Sequence, residues 1–100
     1  MDFTLIPTKV FLKQVLSLSE RDKAKIKAKL LLAEQNPYRY KSVHSREFPK
    51  VFRIRITIDN KEKRLAYAVV KNKILIAGIL DRDKDYRELE EYLKKAKKEL

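Results

Sequence analysis

The chain predicts an α+β fold in which an antiparallel sheet carries an N-terminal helical hairpin, in the order β-α-α-β-β-β-α. Three observations predict it. Helical spacing of apolar residues is confined to two stretches, from Thr8 to Gln35 and from Tyr86 to Leu100. Between them, Phe52 to Leu80 reads with strand character throughout. The breaks inside that region, Asp59-Asn60 and Lys71-Asn72-Lys73, are too short for parallel crossovers, so its three strands form an antiparallel meander. Strands segregated after the helices mark an α+β chain, and 100 residues make one domain, 1–100.

Phe3 to Ile6 reads as a first strand ended by Pro7. From Thr8, Val10, Phe11, Val15 and Leu18 share a helical face that Leu12 and Leu16 widen. Ser19 offers an N-cap, and Asp22 three residues on resembles a capping box with a shorter acid. The second helix buries Ile26, Leu30 and Ala33, turns most of its lysines to water, and stops at Asn36-Pro37. Tyr38 to Lys50 reads as a loop holding the only histidine, His44. Phe52, Ile54, Ile56 and Ile58 then point to one side of a strand, and Arg53, Arg55 and Thr57 to the other. On the next strand Leu65, Tyr67 and Val69 oppose Arg64, Ala66 and Ala68. Ile74 to Leu80 is nearly all apolar, as in a strand covered on both faces. After Asp81–Asp85, a last helix carries Tyr86, Leu89, Tyr92 or Leu93, Ala96 and Leu100 at helical spacing.

Lysine and arginine total 25 against 14 acids, a net charge of +11. Such a surface is drawn to polyanions by counterion release, nucleic acid first, then an anionic membrane surface or an acidic protein. A lysine-rich surface is also what a heat-adapted protein carries. The absence of cysteine excludes disulfides and thiolate chemistry. No basic segment followed by a long apolar run opens the chain, and Ile74–Leu80 is too short to span a bilayer, so a soluble cytoplasmic protein is expected.

A glycine-rich phosphate loop is missing, since Gly78, the only glycine, lies within a strand. One histidine cannot serve as an acid–base pair, and the acids form no cluster that reads as a two-metal site. No metal or other cofactor is expected, so any catalysis must run through lysine, arginine and tyrosine. Arg53 and Arg55 share a strand face whose register is fixed by the isoleucines behind it. Arg64 can lie beside them, bordered by small Ala66, with Arg82 and Tyr86 downstream. That makes a shallow cationic trough suited to an RNA backbone, with Tyr86 available to stack on a base or transfer a proton. Alternation alone is equally that of a solvated sheet face.

The run Phe52-Arg53-Ile54-Arg55-Ile56, then Lys63-Arg64-Leu65-Ala66-Tyr67-Ala68-Val69, then Ile74-Leu75-Ile76 with Arg82 and Tyr86, resembles the RelE/ParE toxin superfamily. There an aromatic and two basic residues alternate on one strand, an arginine opens the next, and a basic residue and a tyrosine follow the last. The helical hairpin and its Asn36-Pro37 stop also match, so the resemblance spans nearly the whole chain. It implies a RelE-like fold and, for the RelE branch, the toxin of a type II toxin-antitoxin system. Such a toxin is a metal-independent endoribonuclease that cuts messenger RNA in the ribosomal A site by attack of the 2′-hydroxyl. It also implies an acidic, helical antitoxin as partner.

Carried over residue by residue, the resemblance makes Arg55, Arg64, Arg82 and Tyr86 catalytic. Arg53 and Lys84 bind RNA, Lys84 being an alternative to Arg82. The second basic strand position is lysine in the best-known pattern. Arginine stays protonated, so Arg55 stabilises charge and the general base is unassigned. A ParE-like gyrase inhibitor and a non-catalytic RNA- or ribosome-binding module are the alternatives. His44 reads as a surface residue, Tyr38 and Tyr40 as RNA-stacking or packing rings, and Lys94, Lys95, Lys97 and Lys98 as the wet side of the last helix.

Overall fold

The computed structural model describes residues 2–82 and 86–100, except for the side chain of Tyr86. The elements are β1 (Thr4–Pro7), α1 (Lys9–Leu16), α2 (Glu20–Gln35), β2 (Lys41–Val43), β3 (Val51–Ile58), β4 (Lys61–Val70), β5 (Lys73–Asp81) and α3 (Tyr86–Lys97). One five-stranded sheet has the order β1-β5-β4-β3-β2. The meander β3-β4-β5 is antiparallel as expected.

Two strand relationships differ from the sequence reading. β1 pairs parallel with β5, Leu5 opposite Ile74, so the sheet is mixed. A hydrophobic pattern reports which face is buried and not which edge finds a partner, so this pairing left no mark. The segment read as loop contains β2, whose three residues pair antiparallel with β3 on its outer edge. Three residues are too few for a period of two to register.

The turns and caps follow local chemistry. Asp59 and Asn60 take positive φ (52° and 62°), the geometry of a tight primed hairpin turn that Asp and Asn tolerate. Ser19 Oγ accepts from the N–H of Asp22, as a cap should. Asp22 does not close the box. Its carboxylate instead accepts from the N–H of Asp59, 3.2 Å away, tying the start of α2 to the β3–β4 turn. Thr8, fully buried, accepts from Phe11 N–H as the cap of α1 and donates to the carbonyl of Ile76 at 2.7 Å.

Where β1 ends at Pro7, the edge of β5 is left open. Gln14 of α1 fills it: its amide donates to the carbonyl of Ile79 (2.9 Å) and accepts from the Ile79 N–H (2.6 Å). A register shift between Ala66 and Tyr67 lies in the same part of the sheet.

The sheet separates two cores. Phe52, Ile54, Ile56, Ile58, Leu65, Tyr67, Val69, Ile74 and Ile76 pack against Phe11 of α1 and Ile26, Leu30 and Ala33 of α2. On the other face Val51, Ala66, Ala68, Leu75, Ala77 and Leu80 pack against Leu89 and Leu93 of α3. Leu12 and Leu16 do not widen the buried stripe of α1; they are 50% and 79% exposed. Leu100 is also exposed, because α3 stops at Lys97. Among the described residues no helix is long and apolar enough to cross a membrane.

Candidate nucleic-acid interface

The face that carries α3 is only partly covered by it. Leu89 and Leu93 close over the end of the meander where Val51, Ala68 and Leu75 lie side by side. Towards the β3–β4 turn the same face becomes cationic. Directly paired residues of antiparallel strands point to one side, so the register sets the pattern. Arg55 stands opposite Arg64, and Lys41 of β2 stands opposite Arg53. Arg53 is flanked in turn by Ala66, and Ala66 by Gly78, over which the ring of Tyr92 from α3 packs.

Arg55 is exposed, and Arg53 and Arg64 are half-buried. Arg53 Nη1 and Arg64 Nε are shut off from solvent with no hydrogen-bond partner. No carboxylate among the described residues is ion-paired with any of these three arginines. Like charges directly opposite across strands destabilise a sheet by several tenths of a kcal/mol, and an unsatisfied buried donor costs roughly 1–3 kcal/mol. Both costs fall on one patch, and an anion laid along it would relieve the repulsion between its like charges.

Arg82 behaves differently. Its Nη1 lies 3.0 Å from Glu62 Oε2, and its side chain is 64% exposed. Glu62 stands two residues before Arg64 on β4, opposite Thr57, and so on the arginine face. The structure therefore gathers Arg53, Arg55 and Arg64 on one surface with Arg82 at its margin. Lys84 and the side chain of Tyr86 lie outside the described residues.

Beside the arginines an open groove of about 710 Å³ runs between residues 42–47 and α3. Val43 lies in it, His44 and Arg46 line one wall, and Arg87, Glu90 and Lys94 line the other. His44 is exposed, in keeping with its reading as a surface residue. Tyr38, Tyr40, Tyr67 and Tyr92 all make contacts within the fold. Tyr67 donates to the carbonyl of Pro37 at 2.6 Å, and burial raises its pKa far above the ordinary value. Tyr92 donates to Glu88 at 2.8 Å and is pushed up to about 12, first by burial and then by that bond. Tyr38 meets Phe3 and Phe52 edge-on, and Tyr40 packs on the larger core. Lys97 reaches Glu47 and the ring of Phe48, and Lys94 lies near Glu91.

Sequence reading missed Lys41 and Glu62. Lys41 lies in a segment that reads as loop, because three strand residues are too few to show a period. Glu62 obeys the alternation that exposed Arg64 and stands one repeat earlier. The strand legible in the sequence begins at Arg64, whereas β4 begins at Lys61 and so includes Glu62.

No protein-family model matches the chain, and no curated protein matches it in sequence. Solved structures do. A double arginine-to-alanine mutant of the E. coli toxin RelE in the free state is 20% identical, with a TM-score of 0.67 over 100% of this chain and 99% of that one. The isolated E. coli RelE toxin is also 20% identical, with a TM-score of 0.64 over 100% of each chain. End-to-end coverage at these scores leaves no element unmatched at the level of topology, and the chain has the RelE-like fold.

Proposed function

We propose that this protein is the toxin of a type II toxin-antitoxin system and acts as a ribosome-dependent messenger-RNA endonuclease. One observation carries the reading. On a RelE-like fold, Arg53, Arg55, Arg64 and Lys41 form a cationic patch on the open part of a sheet face, ion-paired with no carboxylate among the described residues. Preorganised cations of that kind are worth most where negative charge develops, as on a phosphorane-like transition state. Arg55 and Arg64 flank the reacting phosphate, Arg53 and Lys41 hold its neighbours, and Arg82 borders the site. Tyr86 opens α3 four residues after Arg82 in the chain, and we assign it base stacking or proton transfer. The reaction needs no metal in this reading, because the 2′-hydroxyl of the message is the nucleophile. Net charge of +11 suits both a ribosomal site and an acidic helical antitoxin that neutralises the surface in the cytoplasm.

The test is cleavage of a defined message on programmed ribosomes, mapped by primer extension, with free RNA as control. Cuts in the A-site codon that require the ribosome are the expected result. Ribosome binding without cleavage on any message would replace the enzyme by a binding module.

A further inference from the structure

The arginines of the proposed site cannot serve as its general base, because guanidinium groups do not release their protons. Tyr67 and Tyr92 are tied up in hydrogen bonds, the first buried and the second part-buried, and hold their protons more tightly than usual. Among the described strand residues, Glu62 is the one carboxylate on the arginine face. Asp81 pairs with Lys63, which shares the opposite face with Ile56.

The position of Glu62 suits a base. It precedes Arg64 by two residues on an extended strand, about 6.8 Å between Cα atoms. It is diagonal to Arg55, since Thr57 is its direct partner and Arg64 is Arg55's. A phosphate held between Arg55 and Arg64 brings its adjacent ribose within reach of that side chain. Arg82 holds Oε2 at 3.0 Å, and the carboxylate remains one-third exposed. The arrangement has the logic of a catalytic base oriented by a third group.

We propose that Glu62 is the general base of the cleavage reaction and that Arg82 positions it, an inference resting on the endonuclease reading above. The carboxylate takes the proton of the 2′-hydroxyl. The 2′-oxygen forms a bond to phosphorus, and the bond from phosphorus to the 5′-oxygen breaks. The leaving 5′-oxygen takes a proton from water, giving a 2′,3′-cyclic phosphate and a 5′-hydroxyl end. Arg55 and Arg64 carry the charge that builds on the non-bridging oxygens. Glu62 then returns its proton to solvent.

The experiment is single-turnover cleavage on saturating programmed ribosomes as a function of pH. It compares the parent, Glu62→Gln, Glu62→Ala and Arg82→Ala, each checked for folding by circular dichroism. General-base catalysis is worth about 10² to 10⁴ in rate, so Glu62→Gln should slow cleavage at least about 10²-fold with ribosome affinity little changed. The acid limb of the parent's profile should vanish in Glu62→Gln and persist, at a lower rate, in Arg82→Ala. Added formate should partly restore Glu62→Ala when chloride at equal ionic strength does not. Glu62→Gln cleaving at the parent's rate would overturn the assignment and leave the endonuclease standing. So would a slow Glu62→Gln that keeps the acid limb, together with a Glu62→Ala that formate does not rescue. A parent that cleaves no message overturns both.

Discussion

Arg55 and Arg64 are the residues at which stability and the proposed function pull in opposite directions. They face each other across β3 and β4, and Arg64 also buries an unpartnered Nε. Arg64→Ala should therefore slow single-turnover cleavage by about 10² to 10³, the usual effect of removing a preorganised charge donor. Its thermal midpoint should not fall, because cross-strand repulsion is removed with it. Lys41→Ala, in contrast, should weaken ribosome binding and leave the saturated cleavage rate nearly unchanged. Tyr92 supplies a different residue-scale test. Its pKa is pushed from the ordinary 10.0 up to about 12, so its neutral form is favoured in the fold. A raised pKa contributes stability that is complete below the unfolded value and is lost as pH climbs through the folded one. Denaturation midpoints should decline between about pH 10 and 12, and Tyr92→Phe should decline less across that window.

At the scale of elements, the helices are fixed by single polar contacts as much as by their apolar stripes. The start of α2 is joined to the β3–β4 turn by the Asp22 carboxylate and the Asp59 N–H. That turn closes the end of the hairpin where Glu62 and Arg64 lie. Asp22→Ala removes a part-buried hydrogen bond from the Asp59 N–H to a charged carboxylate and should cost roughly 1.5–3 kcal/mol in urea unfolding. Ser19→Ala removes only the cap and should cost about 1 kcal/mol. Equal losses from the two variants would show that the tie to the turn adds nothing beyond capping. The same scale explains β2. Its Val43 packs towards the smaller core opposite Val51, and that pairing carries Lys41 to a place opposite Arg53. A three-residue edge strand thus adds a cation to the patch.

For the whole molecule, the net charge of +11 and the local patch make separable contributions. Overall charge governs encounter with a polyanion, whereas the patch fixes how many phosphates are held. If Lys41, Arg53, Arg55 and Arg64 each neutralise one phosphate of a single strand, log affinity should fall against log salt with a slope of about −3. Filter binding of a short single-stranded RNA over a salt series measures it. A slope near zero would mean that the patch does not contact phosphate. Substituting Lys41 should reduce the slope by about one phosphate's share, which a general surface attraction would not do.

By itself the sequence determined the faces. Period-two alternation from Phe52 to Val69 put the isoleucines against the helices and the arginines on the other side, because a strand has only two sides and one of them had to be dry. It also determined the α+β class and the ends of α2, which rest on the local signals of Ser19 and Asn36-Pro37. The tertiary structure decided who stands beside whom. That Arg55 meets Arg64, that Lys41 meets Arg53, that β1 joins β5 in parallel and that Glu62 is held by Arg82 all depend on register and edge pairing. Those are set by contacts between residues distant in the chain, which leave no periodic trace within either segment. The arginine face was legible for this reason, and the carboxylate beside it was not.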